Sequence, residues 1–238
     1  TMESHERLAR EPYLAIAEIS GRAGAARILA GAALSAEDVE TIAGAQIIER
    51  DEVTFDKPSM SLRRRRARKL GAIALAEQIL PVEANAQTAA ALAQGAASIG
   101  IDRLPWTKAQ KQWRDRVMFL RRAEGDEWPD LSDEALAKSA EDWLSPFIEG
   151  RTSLNSISAN DLDAALSALL PWALLRRFAD AAPTHFEAPT GSRVAVDYEA
   201  EGGPVLAIRV QELFGLSTHP ALAGGRVPLT LHLLSPAH

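Results

Sequence analysis

The sequence contains no cysteine, which excludes disulfides, thiolate catalysis and cysteine-bearing zinc sites together. It also lacks any Gly-Lys dipeptide. A P-loop needs Gly-Lys-Ser/Thr so that lysine and hydroxyl reach the β/γ-phosphates and magnesium, so a complete ATPase is excluded. No apolar run approaches the roughly 20 residues that span a bilayer. The polar opening segment Thr1–Glu11 is no signal peptide, and no Gly-x-Ser-x-Gly elbow marks a hydrolase. The five histidines, at 5, 185, 219, 232 and 238, form neither an i,i+4 pair nor a His-Glu-x-x-His motif, so no metal site is expected. What is present is a 238-residue chain, 47% hydrophobic and 24% charged, an ordinary globular composition with room for one or two domains. A cytoplasmic location fits it. Both ends read as cuts in a longer chain, since Met2 stands behind a threonine.

Residues 12–80 carry mostly strand pattern. Tyr13–Ser20 and Ala26–Leu34 flank the turn Gly21-Arg22-Ala23-Gly24, and Ser35 with Asp38 predicts a capped short helix. Strand pattern resumes over 46–48, 53–56, 60–66 and 70–80. These elements suggest a small barrel, an OB-like module over 1–82. Residues 83–182 read as a helical region. Leu92, Ala96 and Ile99 form a stripe that Gly100 ends, and Thr107 with Gln110 opens a second helix bearing Trp113, Val117 and Leu120. Ser132 caps a third helix ended or kinked by Pro146, Ser158 starts a fourth, and Pro171 opens a fifth carrying Trp172, Leu175 and Phe178. The tryptophans at 106, 113, 143 and 172 are expected in the core. Residues 183–238 return to strand pattern, with a hairpin formed by 193–198 and 205–210 across Glu201-Gly202-Gly203-Pro204. The fold class expected is α+β, with a C-terminal antiparallel β region.

Little in the chain looks catalytic. Asp133-Glu134-Ala135-Leu136 is one letter from a DEAH box, but it follows Pro129-Asp130-Leu131-Ser132, a helix start where acids belong for dipole reasons. The basic run Arg63, Arg64, Arg65, Arg66, Arg68 and Lys69 puts six cations into seven residues of a chain whose net charge is −6. On a strand, Arg64, Arg66 and Arg68 share one face. Two readings stay open: an exposed edge strand whose charges block sheet-to-sheet pairing, or a groove that tracks a single-stranded RNA or DNA backbone. The helix from Thr107 adds Lys108, Lys111, Arg114, Arg116, Arg121 and Arg122 against Asp115.

The C-terminal third resembles the family-specific C-terminal region of HrpB-type, DEAH-box helicases. The resemblance lies in Pro183-Thr184-His185-Phe186, Pro189-Thr190-Gly191-Ser192-Arg193, Val196-Asp197-Tyr198, the stretch Pro204 to Gly215, and Gly225-Arg226-Val227-Pro228-Leu229 running on to Ala237. Leu104-Pro105-Trp106, Trp128 to Ser132 and Glu141 to Leu144 look like the same family's helical region. It covers the chain from about Leu70 onward and marks Gly191, Ser192, Asp197, Tyr198, Arg209, Gln211, Glu212, Phe214 and Gly215 as family-motif residues. It implies an accessory module with no catalytic or cofactor-binding residue of its own. ATP and magnesium would belong to RecA-like motor domains N-terminal to Thr1, which would also be its partners, and the C-terminal β region would be cut short. Read without the family, Asp197 and Arg209 sit on paired strands where an ion pair could form. The rival to nucleic-acid binding is a protein-interaction scaffold.

Overall fold

The computed structural model describes residues 7–22, 26–200 and 202–235. The turn residues Ala23, Gly24 and Glu201, His5, His238 and the end of the final family stretch lie outside these. The chain separates into two compact units, Thr1–Glu52 with Arg64–Pro81, and Val53–Arg63 with Val82–His238.

In the first unit, β1 (Tyr13–Ser20) and β2 (Arg27–Leu34) pair antiparallel. Helix α1 (Ala36–Ala43) follows, and the expected capping box is present: Ser35 accepts from the Asp38 amide while Asp38 accepts from the Ser35 amide. β3 (Ile47–Asp56), β4 (Ser61–Leu70) and β5 (Ile73–Leu80) form a three-stranded sheet in that order, and β3 and β4 continue into the segment 53–63 of the second unit. β1–β2 remains a separate two-stranded sheet. No ladder joins it to β3–β5 into a barrel among the described residues.

The second unit is helical, then β. Helix α2 (Ala86–Ile99) starts at a box formed by Asn85 and Thr88, and α3 (Lys108–Glu124) starts at the expected Thr107–Gln110 box. α2 stops at Gly100, whose φ of 108° suits a residue without Cβ. The expected third helix is broken into α4 (Asp133–Lys138), α5 (Ala140–Trp143) and a 3-10 turn at Ser145–Phe147. The first break, at Ser139, comes before Pro146, with α5 between them. α6 (Ala159–Leu169) and α7 (Trp172–Ala181) complete the helices, with Pro171 as the N-cap of α7 rather than its first residue. Segment 53–63 docks within this unit: Leu62 N donates to Thr152 O at 2.8 Å, Leu154 N donates to Met60 O at 2.9 Å, and Phe55 lies over Gly95.

The core is continuous through Leu92, Leu120, Trp128, Leu144 and Leu162 to Leu206. Trp106 and Trp143 stack with centroids 6.2 Å apart. The indole N–H groups of Trp106, Trp128 and Trp143 all donate, to Ile101 O, Glu124 and Leu136 O, as burial requires. Trp172 departs from expectation, being 75% exposed. α7 buries Leu174 and Phe178, four residues apart, and that stripe turns position 172 outward.

The C-terminal sheet has the order β11 (Thr230–Leu234), β8 (Val205–Arg209), β7 (Arg193–Asp197), β6 (His185–Glu187). The β7–β8 hairpin is present, and β6–β7 is antiparallel. β11, however, runs parallel to β8, so the sheet is mixed rather than wholly antiparallel. The connection from β8 to β11, which holds a 3-10 turn at Val210–Leu213 and the short β9 (Ala221–Leu222) and β10 (Val227–Pro228), is long enough for the crossover a parallel pair needs. Among the described residues, no helix is long and apolar enough to cross a membrane.

Candidate nucleic-acid interface

Ser61–Leu70 is a strand because alternate positions are buried or half-buried against the sheet, Leu62 on one face and Ala67 on the other. It is the middle strand of β3–β4–β5. The edge-strand expectation is therefore overturned: neighbours hydrogen-bond it on both sides. A central strand tolerates so many like charges only if acids flank it, and they do. Arg64 Nε and Nη2 hold the two oxygens of Asp51 at 2.9 and 3.0 Å, and Arg66 reaches Asp51 at 3.0 Å and Glu49 at 3.4 Å. Arg64 and Arg66 thus share a face, as their spacing predicts. Arg63 pairs with Asp56 at 3.1 Å, Arg65 with Glu77 at 2.7 Å and Arg68 with Glu40 at 2.7 Å. Lys69 is exposed and makes no ion pair among the described residues. The Arg64 hydrogen bonds, and then those of Arg66, pull the Asp51 carboxyl down to about 2.

Sequence reasoning missed these carboxylates. One signal for them existed: residues 49 and 51 mirror 66 and 64 about the Lys57–Pro58 pair, which is the symmetry of a hairpin.

On α3 the six basic residues divide. Arg116 is buried, its Nε donating to Ala182 O at 2.5 Å and its guanidinium lying 4.2 Å from the Phe178 ring centroid. Arg114 donates to Leu131 O and to Asp133, so the acidic pair at 133–134 opens α4 as expected of a helix start. Arg121 bonds Trp128 O and Asp126. Lys108, Lys111 and Arg122 remain exposed, with no ion pair among the described residues.

These three border a cleft between α3 and the tip of the β7–β8 hairpin, with a cavity of about 650 Å³ at one end. Asp115 lines it together with Glu199. Burial, and next the charge of Glu199, raise the Asp115 carboxyl above the ordinary aspartate range.

The family-motif residues fall on and around the C-terminal sheet. Gly191, with φ of 90°, turns the chain between β6 and β7. Thr190 donates to Glu212, whose carboxyl is lowered by hydrogen bonds from Thr190 and then Ser192. That contact ties the turn to the 3-10 segment containing Gln211. Tyr198 is buried and donates to Pro183 O at 2.6 Å, while burial pushes its phenol up. Phe214 is 68% exposed and Gly215 has φ of 93°. The expected Asp197–Arg209 pair does not form. Asp197 stands opposite Val205, four residues along β8 from Arg209, and instead accepts from the Glu199 amide at 2.9 Å.

Residues 143–238 match the family model described as ATP-dependent helicase C-terminal, HrpB_C. The chain is 33% identical over 213 residues to the ATP-dependent RNA helicase HrpB of Escherichia coli strain K12, covering 89% of this chain and 26% of that protein. Two solved structures resemble it, each over 98% of this chain. The crystal structure of the E. coli DExH-box NTPase HrpB has a TM-score of 0.63 at 32% identity, with 29% of that chain covered. That of the E. coli DEAH/RHA helicase HrpB has a TM-score of 0.61 at 28% identity, with 30% covered. The chain therefore spans about a quarter of the length of the curated relative.

Proposed function

We propose that this chain, whose sequence and fold match the C-terminal region of HrpB-type helicases, is an accessory module of an ATP-dependent helicase. It contributes contacts to single-stranded RNA or DNA and to RecA-like motor domains, and the ATP and magnesium chemistry belongs to those domains. The likeness over nearly the whole chain carries this reading. Backbone tracking through Arg63, Arg64, Arg65, Arg66, Arg68 and Lys69 would require each arginine to exchange a carboxylate for a phosphate. Lys108, Lys111 and Arg122 need no such exchange and are the better phosphate contacts.

The test is fluorescence anisotropy of a labelled single-stranded oligonucleotide across a salt series. Three phosphates neutralised by those cations give a log–log slope of about −2, since single strands contribute roughly −0.7 each. Replacing Lys108, Lys111 and Arg122 with alanine should bring the slope close to zero, and replacing Arg64, Arg66 and Arg68 should change it by less than one unit. Absence of binding at low salt would leave the protein-interaction scaffold, the reading that the neutralised arginine strand favours.

A further inference from the structure

The cleft beside α3 carries chemistry that a phosphate-binding surface does not need. We infer that it is a base pocket that accepts a guanine, carried by a free nucleotide or by a single strand. This rests on the proposed accessory role but makes a separate demand, base preference.

The cavity, about 650 Å³, lies within the size range of small-molecule sites. Met118, Phe119, Pro204 and Val227 give it apolar walls suited to a flat ring. Gly202 and Gly203, with φ of 93° and 124°, bring hairpin backbone to the rim without side chains. On the polar side are Asp115 and Glu199, with exposed Arg122 beside them.

Each group matches part of one ligand. The Watson–Crick edge of guanine presents two adjacent N–H donors, at N1 and N2, and the O6 acceptor. A carboxylate receives both N–H groups in a bidentate contact, as Glu199 can. Asp115, whose carboxyl is raised by burial and by the Glu199 charge, lines the same cavity and donates to O6 when it carries a proton. Adenine, cytosine and uracil each offer a single donor position on that edge. Arg122 supplies the phosphate contact. A cationic ligand such as a peptide arginine would satisfy the carboxyls but meet Arg122 at the cavity; farther along the cleft, Lys111 and Arg114 stand among Asp102 and Asp133.

The probes are 5′-GMP and 5′-AMP, and two uridine octamers, one with a single central guanosine, titrated into the full 238-residue chain by calorimetry. GMP should bind roughly tenfold more tightly than AMP, and the guanosine octamer roughly tenfold more tightly than the all-uridine one, the discrimination expected of a bidentate edge contact. Glu199→Ala should abolish the preference in both arms while leaving tryptophan fluorescence unchanged, because Glu199 is exposed. GMP binding with no octamer binding would keep the pocket and sink single-strand binding. Octamer binding blind to the guanosine would do the reverse. A preference that survives Glu199→Ala, an arginine peptide that binds more tightly than GMP, or no binding of any probe overturns the inference.

Discussion

Replacing Gly95 with alanine sets two effects of known size against each other. Gly95 is buried in α2, and a Cβ built on it would lie 2.4 Å from Phe55 Cδ2, 2.5 Å from Cγ and 2.9 Å from Cε2. Carbon atoms in ordinary contact are roughly 3.5–4.0 Å apart, so the ring must retreat by more than 1 Å. Because Cγ itself is in the way, turning the ring about χ2 gives no relief; the side chain must change χ1, or the 53–63 segment must move off α2. Overpacking of this kind costs about 1–3 kcal/mol. Alanine in a helix interior returns about 1 kcal/mol relative to glycine. Gly95→Ala should therefore be neutral to about 2 kcal/mol destabilising in the native background, and about 1 kcal/mol stabilising in a Phe55→Ala background. The sign reversal is the diagnostic. All five tryptophans, at 106, 113, 128, 143 and 172, belong to the second unit, so urea unfolding followed by tryptophan fluorescence reads that unit alone. A coupling between the two substitutions near zero, with alanine stabilising equally in both backgrounds, would refute the packing of Phe55 on Gly95.

Two further outcomes follow from the same structure. The purified chain should show no ATP turnover with or without RNA, because no Gly-Lys exists to hold the phosphates; a phosphate-release assay in which activity co-purifies with the chain through successive columns would contradict this. The second concerns acid. Asp51 has its carboxyl lowered from 3.8 to about 2 in the folded chain, so it contributes stability that is fully present above 3.8 and is lost as pH falls toward 2. Asp51→Asn should flatten the loss of strand signal in circular dichroism across that window, and an unchanged acid profile would mean that the Arg64 and Arg66 contacts do not persist in solution.

What the sequence made legible was local. The boxes at Ser35–Asp38 and Thr107–Gln110 are each written within four residues and both formed, and the helix expected to start at Ser158 does so. The β7–β8 hairpin has its turn residues in line and formed as well. Failures came where the deciding contact is remote. Strand order put β4 in the middle of its sheet, and no periodicity within Ser61–Leu70 encodes its neighbours. Asp197 and Arg209 are on paired strands, but the register separates them by four residues. In α7, residues 172, 174, 175 and 178 are all apolar, and only the core's position selects Leu174 and Phe178 over Trp172.

The arginine strand shows why charge must be counted with its neighbours. Its six cations face five carboxylates, Glu40, Glu49, Asp51, Asp56 and Glu77, so the run that dominates the sequence presents a nearly balanced surface. A polyanion responds to the local field, so the cations with no ion pair among the described residues are the ones to weigh next. On α3 these are Lys108, Lys111 and Arg122, inconspicuous in sequence because each is separated from the next by at least two residues. The same helix face places Asp115 between Lys111 and Arg122. A surface that only gripped phosphates would be stronger without that aspartate and without Glu199 across from it. Their presence in an apolar-walled cavity fits the proposed guanine ligand, which joins an anionic phosphate to a neutral edge with two adjacent hydrogen-bond donors.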